Sequence, residues 1–483
     1  MSIPNLTSPA VADNPSGPGI ENRTFEEIKI GDSTSLSHTL KAREIELFAA
    51  VSGNVNPVHV EPAFARDHMF HQVIAHGMWT GTLISTLLGT KLPGPGTIYR
   101  SQTLNFRHPV VVGDTVVATV TVREKRAPRD VVLDCHIVDQ DGNVVADGVA
   151  DVIAPDEKVK RPRVVIPEVR LEEPGARHRE LIARTKGRDL LRTAVVFPTD
   201  HVSLAGAIDA AHQELIHPVL VGPREAIEAA AKAGAISVSN YEIVVAENPA
   251  AAAAKAVDLV LANKADAIMK GALHTDVLMH EILAGQPGLR TDRRLSHVYV
   301  MDVPTYPRPL LITDAAINIY PDLEDKHDIV QNAIELAHAL GIEMPKVAVL
   351  SAVEVVTSRI KSTIDAAALC KMADRGEITG AIVDGPLAFD NAVSAEAAKT
   401  KHIVSPVAGQ ADILVVPDLE AGNMLAKQLE YLADATGAGI VVGAKVPIIL
   451  TSRSDTILTR LASCAVALLL ARYQSEKPTR TAP

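Results

Sequence analysis

Near its C-terminal end the chain places a hydroxyl and a guanidinium side by side after an apolar run. The run VPIILT leads into Ser452 and Arg453, and a helical pattern begins near Asp455. Main-chain N–H groups at a helix start, a hydroxyl and a guanidinium together suit the oxygens of a phosphate. Such a site can hold phosphate and a tetrahedral oxyanion while an acyl group passes between phosphate and a thiol. Asp455 is equally well explained as the N-cap of the helix.

A second segment places an amide and an imidazole close together at a turn. It reads SGNVNPVHVEPAFA at 52–65 and contains Asn54 and His59. Because an imidazole titrates near neutrality, it can move the protons that hydration of an enoyl thioester requires. The N–H groups of a helix start can stabilise the thioester oxygen in the same reaction. Taken alone, the letters GNVNP also fit a simple turn.

The composition predicts large aliphatic cores and argues against several classes of function. Hydrophobic residues make up 47% of the chain and aromatic residues 3%, which suits parallel sheets covered by helices. The net charge of -11 gives a nucleic-acid partner no electrostatic support. The three cysteines lie far apart in the sequence, so we expect neither a disulfide framework nor a metal site.

The N-terminal segment 1–21 is rich in proline, serine, asparagine and glycine, and we interpret it as a disordered tail. It lacks the basic and apolar regions of a signal peptide. The best apolar stretch, Ala465 to Ala471, is shorter than the ~18 residues that a membrane helix needs. The sequence therefore predicts a soluble, cytoplasmic protein without a membrane partner.

Two domains are predicted, because a charged and proline-broken linker at 155–187 interrupts the apolar patterning. The first domain, 22–154, has a strand, the helical stretch AREIELFAAVSG, a second helix from Ala75 to Leu88, and then several long strands. One central helix followed by an antiparallel run of strands favours an α+β fold in which a sheet wraps around a helix.

The second domain, 188–478, alternates short apolar runs with alanine-rich helical stretches. This repetition predicts an α/β fold, with a largely parallel sheet and helices on both faces. Ligands of such sheets bind at the carboxyl ends of the strands. The residues at those ends are Lys270, Gly271, Thr313, Asp314, Asp384, Gly385, Asp418, Ser452 and Arg453.

The segment around His59 resembles the hydratase motif of the MaoC-like enoyl-CoA hydratases, whose pattern is Asp-x-Asn-Pro-aliphatic-His. Residues 56–59 match, and IAHGMWTG at 74–81 and FRHPVVVGDT at 106–115 match two further signatures of these hot-dog proteins. The resemblance implies a hot-dog fold and an R-specific enoyl-CoA hydratase. It makes His59 catalytic and places His76 and Gly77 in the substrate site.

The catalytic aspartate of that family is Asn54 here, and an amide cannot accept the proton. Loss of one acid–base group slows a reaction by about 10²–10⁴-fold. One reading is therefore a slowed hydratase in which Asn54 orients water and His59 is the sole base. The alternative reading is a non-catalytic domain that binds acyl-CoA or mediates oligomerisation.

The pair Ser452-Arg453 resembles the catalytic pair of the phosphate acetyltransferases and butyryltransferases. Other blocks between 190 and 475 resemble the same family, among them MKGALHTDVL, ITDAAINIYPD and VDGPLAFDNAVS. The resemblance assigns Ser452 to oxyanion stabilisation and Arg453 to phosphate. In the acetyltransferases an acidic residue about seven positions after the serine is the thiol base. Thr459 stands there in this chain, and Asp455 is the nearest acid that can replace it.

The same resemblance implies the binding residues, the fold and the substrates. The implied binding residues are Lys270, Gly271, His274, Thr275, Asp314, Asn318, Asp384 and Gly385. The family's fold resembles that of the isocitrate and isopropylmalate dehydrogenases, with two α/β subdomains around a cleft. No Gly-x-Gly-x-x-Gly loop or P-loop is present, so we expect no tightly bound cofactor. The resemblance implies that coenzyme A thioesters and phosphate are the substrates. Both parent families form dimers, which implies a homo-oligomer.

The run TDRRLSH supplies two further arginines whose role the sequence leaves open. Arg293 and Arg294 can grip the phosphates of coenzyme A, or they can belong to a solvated turn. The two interpretations have equal support from the sequence.

Overall fold

The computed structural model describes residues 19–162, 164, 169, 173–284, 288–451 and 455–476. The chain divides into two compact units, Met1–Leu171 and Glu172–Pro483. This division falls inside the predicted linker 155–187. That segment contains a strand that belongs to the first unit and a helix that belongs to the second.

The first unit is built mainly from antiparallel strands. Its elements are β1 (Ile20–Glu21), β2 (Ser33–Thr39), α1 (Ala42–Ser52), α2 (Pro57–Val60), α3 (Pro62–Asp67), α4 (Gly77–Thr90), β3 (Ile98–Phe106), β4 (Thr115–Arg126), β5 (Asp130–Val138), β6 (Val144–Ile153) and β7 (Lys160–Arg161). Five of the strands form a sheet in the order β2-β4-β5-β6-β3, and β1 pairs with β7. The β5–β6 turn holds Gly142 at φ 83°, as an Asp-Gly hairpin turn requires.

Helix α4 is the centre of the core of this unit. Its buried residues are Trp79, Thr80, Leu83, Ile84, Leu87 and Leu88. Alternate residues of β4 are also buried, because successive side chains of a strand point to opposite faces of the sheet. The sheet packs one face against α4, which confirms the predicted arrangement and the hot-dog fold.

The segment between α1 and α2 is shaped by residues that favour turns and caps. Gly53 ends α1 in the left-handed region at φ 72°. Asn56 caps α2 through its side-chain oxygen, which accepts a hydrogen bond from the N–H of Val58 at 3.4 Å. Pro57 occupies the first turn of α2, where a main-chain N–H would have no partner within the helix. These residues fix the position of His59 on α2.

The second unit alternates strands and helices. Its elements are α5 (Ala176–Ala183), β8 (Leu191–Val196), α6 (His201–His212), β9 (Ile216–Gly222), α7 (Arg224–Ala233), β10 (Ile243–Val245), α8 (Pro249–Leu261), β11 (Ala267–Lys270), α9 (Thr275–Ala284), β12 (Ser296–Asp302), β13 (Leu310–Thr313), α10 (Leu323–Ala339), β14 (Lys346–Leu350), α11 (Lys361–Asp374), β15 (Ile382–Leu387), α12 (Phe389–Val393), α13 (Ala395–Thr400), β16 (Ile413–Val415), α14 (Leu419–Leu432), β17 (Thr436–Val442), β18 (Ile448–Ile449) and α15 (Ile457–Glu476). The described strands form one sheet in the order β10-β9-β8-β11-β18-β17-β12-β13-β16-β14-β15.

This sheet consists of two parallel blocks joined by an antiparallel seam. The antiparallel pairs are β18–β17, β17–β12 and β12–β13, and the remaining pairs are parallel. The sequence pattern predicts the parallel strands but not β12 and β17, whose segments SHVYVMD and TGAGIVV contain polar residues and glycines. The further division into two dehydrogenase-like subdomains stays a prediction.

The register of the seam brings the carboxyl ends of both parallel blocks to one level. Ile449 of β18 pairs with Met269 of β11 on one side and with Ile440 of β17 on the other. Tyr299 of β12 pairs with Gly439, the neighbour of Ile440, and with Ile312 near the end of β13. The ends of β11, β18 and β13 therefore meet beside the middle of β12. Ligands of open α/β sheets bind at such carboxyl ends.

Helix α15 is long and apolar enough to cross a membrane, and it is the single such helix among the described residues. Ala462 to Leu470 is buried throughout, and the helix packs on β17, α5 and α6. This burial is typical of the core helix of a folded α/β domain.

Candidate active sites

The first unit contains a cavity of about 320 Å³. It is lined by His59, Phe70, Ile74, Ala75, His76, Gly77, Thr80, Phe106, Arg107, His108, Pro109, Val110 and Val145. These residues come chiefly from the three segments that carry the MaoC-like signatures. The fold therefore gathers the signatures, which are far apart in the sequence, around one cavity.

His59 is half-buried and presents one ring nitrogen as an acceptor. Its Nδ1 donates a hydrogen bond to the main-chain oxygen of Ile74 at 2.9 Å. Since a carbonyl oxygen only accepts, the proton of the neutral ring lies on Nδ1 and the lone pair on Nε2. Burial lowers the pKa of His59, the bond to Ile74 opposes that shift, and neighbouring His76 adds to it. His59 is thus a candidate general base.

His76 and Gly77 lie at the start of α4, beside His59. The rings of His76 and His59 are 4.0 Å apart between centroids. His76 Nε2 donates to the main-chain oxygen of Asn54 at 3.0 Å, whereas its buried Nδ1 has no partner among the described residues. A Cβ at Gly77 would lie 3.2 Å from the ring of Phe106, so glycine fits this close contact. The first N–H groups of α4 can stabilise a thioester oxygen here.

Asn54 is held beside this cavity but does not line it. Its side-chain oxygen accepts a hydrogen bond from the N–H of Asn56 at 3.2 Å, and the residue is exposed. Asp67, another acid of this segment, ends α3 and is also exposed. The residues that line the cavity include no carboxylate. Among these lining residues, His59 is the best-placed base.

The second unit contains a cavity of about 450 Å³ at the seam. It is lined by Lys270, Leu273, His274, Thr275, His297, Tyr299, Ala316, Leu450 and Thr451. Lys270, His274 and Thr275 are residues that the sequence predicts for the site. Predicted Gly271 lies between them, and a Cβ there would come within 2.4 Å of the main-chain oxygen of Val196. The position therefore needs glycine.

The predicted catalytic pair, Ser452 and Arg453, lies outside the described residues. The two residues that precede it, Leu450 and Thr451, line the cavity. Thr451 Oγ1 also lies 3.5 Å from the main-chain oxygen of Lys270. The pair thus follows the cavity wall directly in sequence.

Thr459, where the resemblance predicts an acid, helps to begin α15. It is buried, and its N–H donates to Thr456 Oγ1 at 3.2 Å. Thr456 Oγ1 donates in turn to Thr459 Oγ1 at 3.1 Å. Asp455 precedes this turn, and its main-chain oxygen accepts a hydrogen bond from Arg460 at 2.7 Å. Neither Thr459 nor Asp455 lines the cavity.

His297 and Tyr299 line the cavity, although neither belongs to a sequence motif that predicts the site. Both lie on β12, where a histidine and a tyrosine in an apolar strand resemble core residues. The rings are 4.4 Å apart in an edge-to-face contact. Burial lowers the pKa of His297 to about 3 and raises the pKa of Tyr299. Alternation of polar residues along a strand of an otherwise apolar sheet is the signal that points to them.

Asp314 and Asn318, predicted to contact the substrate, lie behind the cavity wall. Asp314 Oδ1 accepts hydrogen bonds from the N–H groups of Ala316 at 2.9 Å and Ile317 at 3.0 Å. Asn318 donates from its side-chain nitrogen to Asp314 Oδ2 at 2.6 Å. Burial raises the pKa of Asp314, and these donors oppose the shift. Since Ala316 lines the cavity, the two residues shape the wall rather than face its interior.

The other predicted residues lie away from this cavity. Asp384 and Gly385 are on the edge strand β15 and do not line it. Arg293 forms an ion pair with Glu335 at 2.8 Å. Arg294 pairs with Asp325 at 2.8 Å. Both arginines are therefore engaged with neighbouring acids.

Comparison with known proteins agrees with the two sets of motifs. A family model described as "Phosphate acetyl/butaryl transferase" matches residues 244–468, and one described as "MaoC like domain" matches residues 26–135. A phosphate acetyltransferase of Rhizobium meliloti is 58% identical over 296 residues, which are 61% of this chain and 94% of that protein. A phosphate butyryltransferase of Clostridium acetobutylicum is 43% identical over 292 residues, 60% of this chain and 97% of that protein.

A solved structure supports the same assignment for the second unit. The branched-chain phosphotransacylase of Enterococcus faecalis is 31% identical, with a TM-score of 0.52, and the match covers 58% of this chain and 99% of that protein. Sequence motifs, cavity and relatives therefore agree. The chain belongs to the phosphate acetyl/butyryltransferase family and carries a MaoC-like domain ahead of its transferase domain.

Proposed function

We propose that the second unit transfers a short acyl group between coenzyme A and phosphate. The observation that carries this proposal is the cavity at the seam, whose wall at Leu450 and Thr451 leads directly into Ser452 and Arg453. In the proposal, Ser452 donates a hydrogen bond to the acyl oxygen and Arg453 holds phosphate through paired N–H donors. The products are acyl phosphate and free coenzyme A.

The charges along the cavity support phosphate as a substrate, although the chain is acidic overall. Among the described residues, the lining includes the ammonium group of Lys270 and no carboxylate. His274 and Thr275 lie at the start of α9, where main-chain N–H groups without helical partners favour an anion. This wall therefore offers phosphate several hydrogen-bond donors.

The reaction needs no redox chemistry. A phosphate oxygen attacks the carbonyl carbon of the thioester, and the carbonyl electron pair moves to oxygen. When that pair returns, the C–S bond breaks and the thiolate of coenzyme A leaves. Because phosphate at neutral pH is already an anion, this direction requires charge stabilisation more than a base.

Phosphate-dependent thiol release tests this proposal. Purified full-length protein is incubated with acetyl-CoA or butyryl-CoA, with and without phosphate, and free thiol is measured with a chromogenic disulfide. We expect release that requires phosphate, and the faster substrate identifies the preferred acyl length. Absence of release with either thioester would contradict the proposed activity.

For the first unit we propose a slow R-specific hydration of enoyl-CoA, with His59 as the base. His59 Nε2 carries the lone pair, and the start of α4 can receive the thioester oxygen. The absence of a carboxylate among the lining residues favours the alternative, a domain that binds acyl-CoA without turnover. Loss of ultraviolet absorbance of crotonyl-CoA, measured beside its binding affinity, separates the two. Turnover supports the hydratase, and binding alone supports the alternative.

We also propose that the protein forms a homo-oligomer. Strand β3 is an edge of its sheet, and it exposes Ile98, Tyr99 and Phe106. Apolar side chains on an unpaired edge favour pairing with a second copy. Light scattering on purified protein tests this: a monomer at micromolar concentration would contradict it.

A further inference from the structure

His297 is a buried polar side chain whose hydrogen-bonding capacity the described structure does not use. It is 1% exposed and lines the transferase cavity. Its Nδ1 is enclosed without a partner among the described residues, and no bond from Nε2 to those residues is formed either. Buried polar groups of native proteins are nearly always hydrogen-bonded, so a ring left without partners points to a function.

The space beside Nε2 is kept open by a glycine. Gly439 lies on β17 opposite Tyr299. A Cβ at Gly439 would lie 3.1 Å from His297 Nε2 and 2.9 Å from the main-chain oxygen of Leu450. Leu450 lines the same cavity. Since Nδ1 is enclosed, Nε2, which lies near a residue of the cavity wall, is the ring nitrogen left for an occupant of the cavity.

The main chain of His297 is fixed on both sides. Its oxygen accepts a hydrogen bond from Thr313 Oγ1 at 2.8 Å. Its main chain also forms a hydrogen bond with the buried carboxyl of Asp314. Edge-to-face contact with Tyr299 restrains the ring. A side chain held in this way is preorganised, which is what stabilisation of a transition state requires.

The depth of burial decides which role the ring can have. With a pKa of about 3, His297 is neutral at any physiological pH. Removal of a proton from a thiol, whose ordinary pKa is about 8.5, would then be unfavourable by roughly five powers of ten. A neutral imidazole still carries one N–H and can polarise a carbonyl group without titrating.

We propose that His297 is a catalytic residue of the transferase, donating its Nε2–H to the carbonyl oxygen of the acyl group during transfer. This inference rests on the proposed transferase function. The imidazole keeps its proton throughout: the C–O bond to phosphate forms, the C–S bond breaks, and charge rises and falls on the carbonyl oxygen beside Nε2.

Two substitutions at this position separate donor chemistry from packing. His297→Leu removes the N–H, whereas His297→Gln places an amide N–H close to the position of Nε2. We expect kcat of the full-length His297→Leu protein to fall about 10²–10³-fold with KM for phosphate changed little. His297→Gln should retain kcat within about tenfold of the wild type, and the pH profile of both should keep its shape.

His178→Leu is the matched control. His178 is equally buried, but its ring bonds the main-chain oxygen of Val300 and the hydroxyl of Thr436, away from the cavity. We expect a lower thermal midpoint for this variant and an unchanged kcat. A His297→Leu protein as active as the wild type, or equal losses in His297→Leu and His297→Gln, would overturn the inference alone. A wild type without phosphate-dependent release would overturn the proposed function and the inference together.

Discussion

The two cavities of this chain use buried histidines in opposite ways. His59 in the MaoC-like domain is half-buried, and this partial burial lowers its pKa. His297 in the transferase domain is fully buried, and the same cause lowers its pKa to about 3. The first imidazole has a lone pair at a cavity and can accept a proton, whereas the second stays neutral and can act only through hydrogen bonds. Depth of burial thus assigns two different roles to one residue type.

The cavities also differ in what their own motifs have lost. The MaoC-like cavity brings its three signatures together, but Asn54, where the resemblance predicts an aspartate, does not line it. The transferase motif has Thr459 where the resemblance predicts an acid, yet the proposed reaction can use phosphate, which is already an anion. The same kind of loss is therefore expected to slow hydration more than acyl transfer.

The largest expected effect is in the transferase. Arg453→Ala should lower phosphate-dependent thiol release about 10³-fold, because the leaving or attacking phosphate loses a paired cationic donor. Hydration of crotonyl-CoA by the same protein should not change. Arg123→Ala, which removes a half-exposed ion pair with Asp134, is the matched control and should leave both activities intact. Unchanged thiol release in Arg453→Ala would contradict the assigned role.

Restoring the missing carboxylate should produce the next largest effect. Asn54→Asp is expected to raise the rate of crotonyl-CoA hydration about 10²-fold, since it restores the second acid–base group of the family motif. Asn263→Asp adds the same charge at an exposed turn of the other domain and should have no effect. If Asn54→Asp hydrates no faster than the parent protein, the site is not a latent hydratase.

A smaller effect is expected in the pH dependence of stability. The pKa of His297 falls from an ordinary 6.5 to about 3 on folding, so the unfolded chain binds the proton more tightly. Its contribution is complete above pH 6.5 and is lost as the pH falls, by about 1.4 kcal/mol per pH unit. Urea unfolding at pH 7 and pH 5 should therefore show the wild type losing more stability than His297→Leu. Equal losses would mean that the imidazole is not buried in its neutral form.

The smallest effect concerns the pH profile of hydration. Because the pKa of His59 is lowered, its base form dominates to a lower pH than that of an ordinary imidazole. We expect the rate to fall less than about fourfold between pH 8 and pH 6. A steeper fall would assign the base to a group with an unperturbed or raised pKa.

Much of the fold follows from the sequence, and the exceptions have physical causes. The central helix is predicted from Ala75 to Leu88 and observed at Gly77–Thr90, because its apolar face has a clear helical period. The parallel strands are predicted as well. Strands β12 and β17 are not, since pairing between them decides their structure more than their composition does.

The residues of the transferase cavity also include some that the sequence predicts and some that it does not. Lys270, His274 and Thr275 are predicted and line the transferase cavity, because they follow the end of a strand. His297 and Tyr299 cannot be predicted in this way, because they lie on β12, a strand that the sequence pattern does not predict. Their role depends on which face of that strand meets the cavity. Asp314 is predicted as a contact, but its hydrogen bonds to the following N–H groups turn it inward.

The most direct test of the account follows the acyl group itself. Full-length protein, butyryl-CoA and phosphate are mixed, and ³¹P nuclear magnetic resonance monitors acyl phosphate while free thiol is measured in parallel. We expect a new acyl-phosphate resonance that grows in equal amount with free thiol. Thiol release without acyl phosphate would identify thioester hydrolysis and contradict the assignment of this chain as a phosphate acyltransferase.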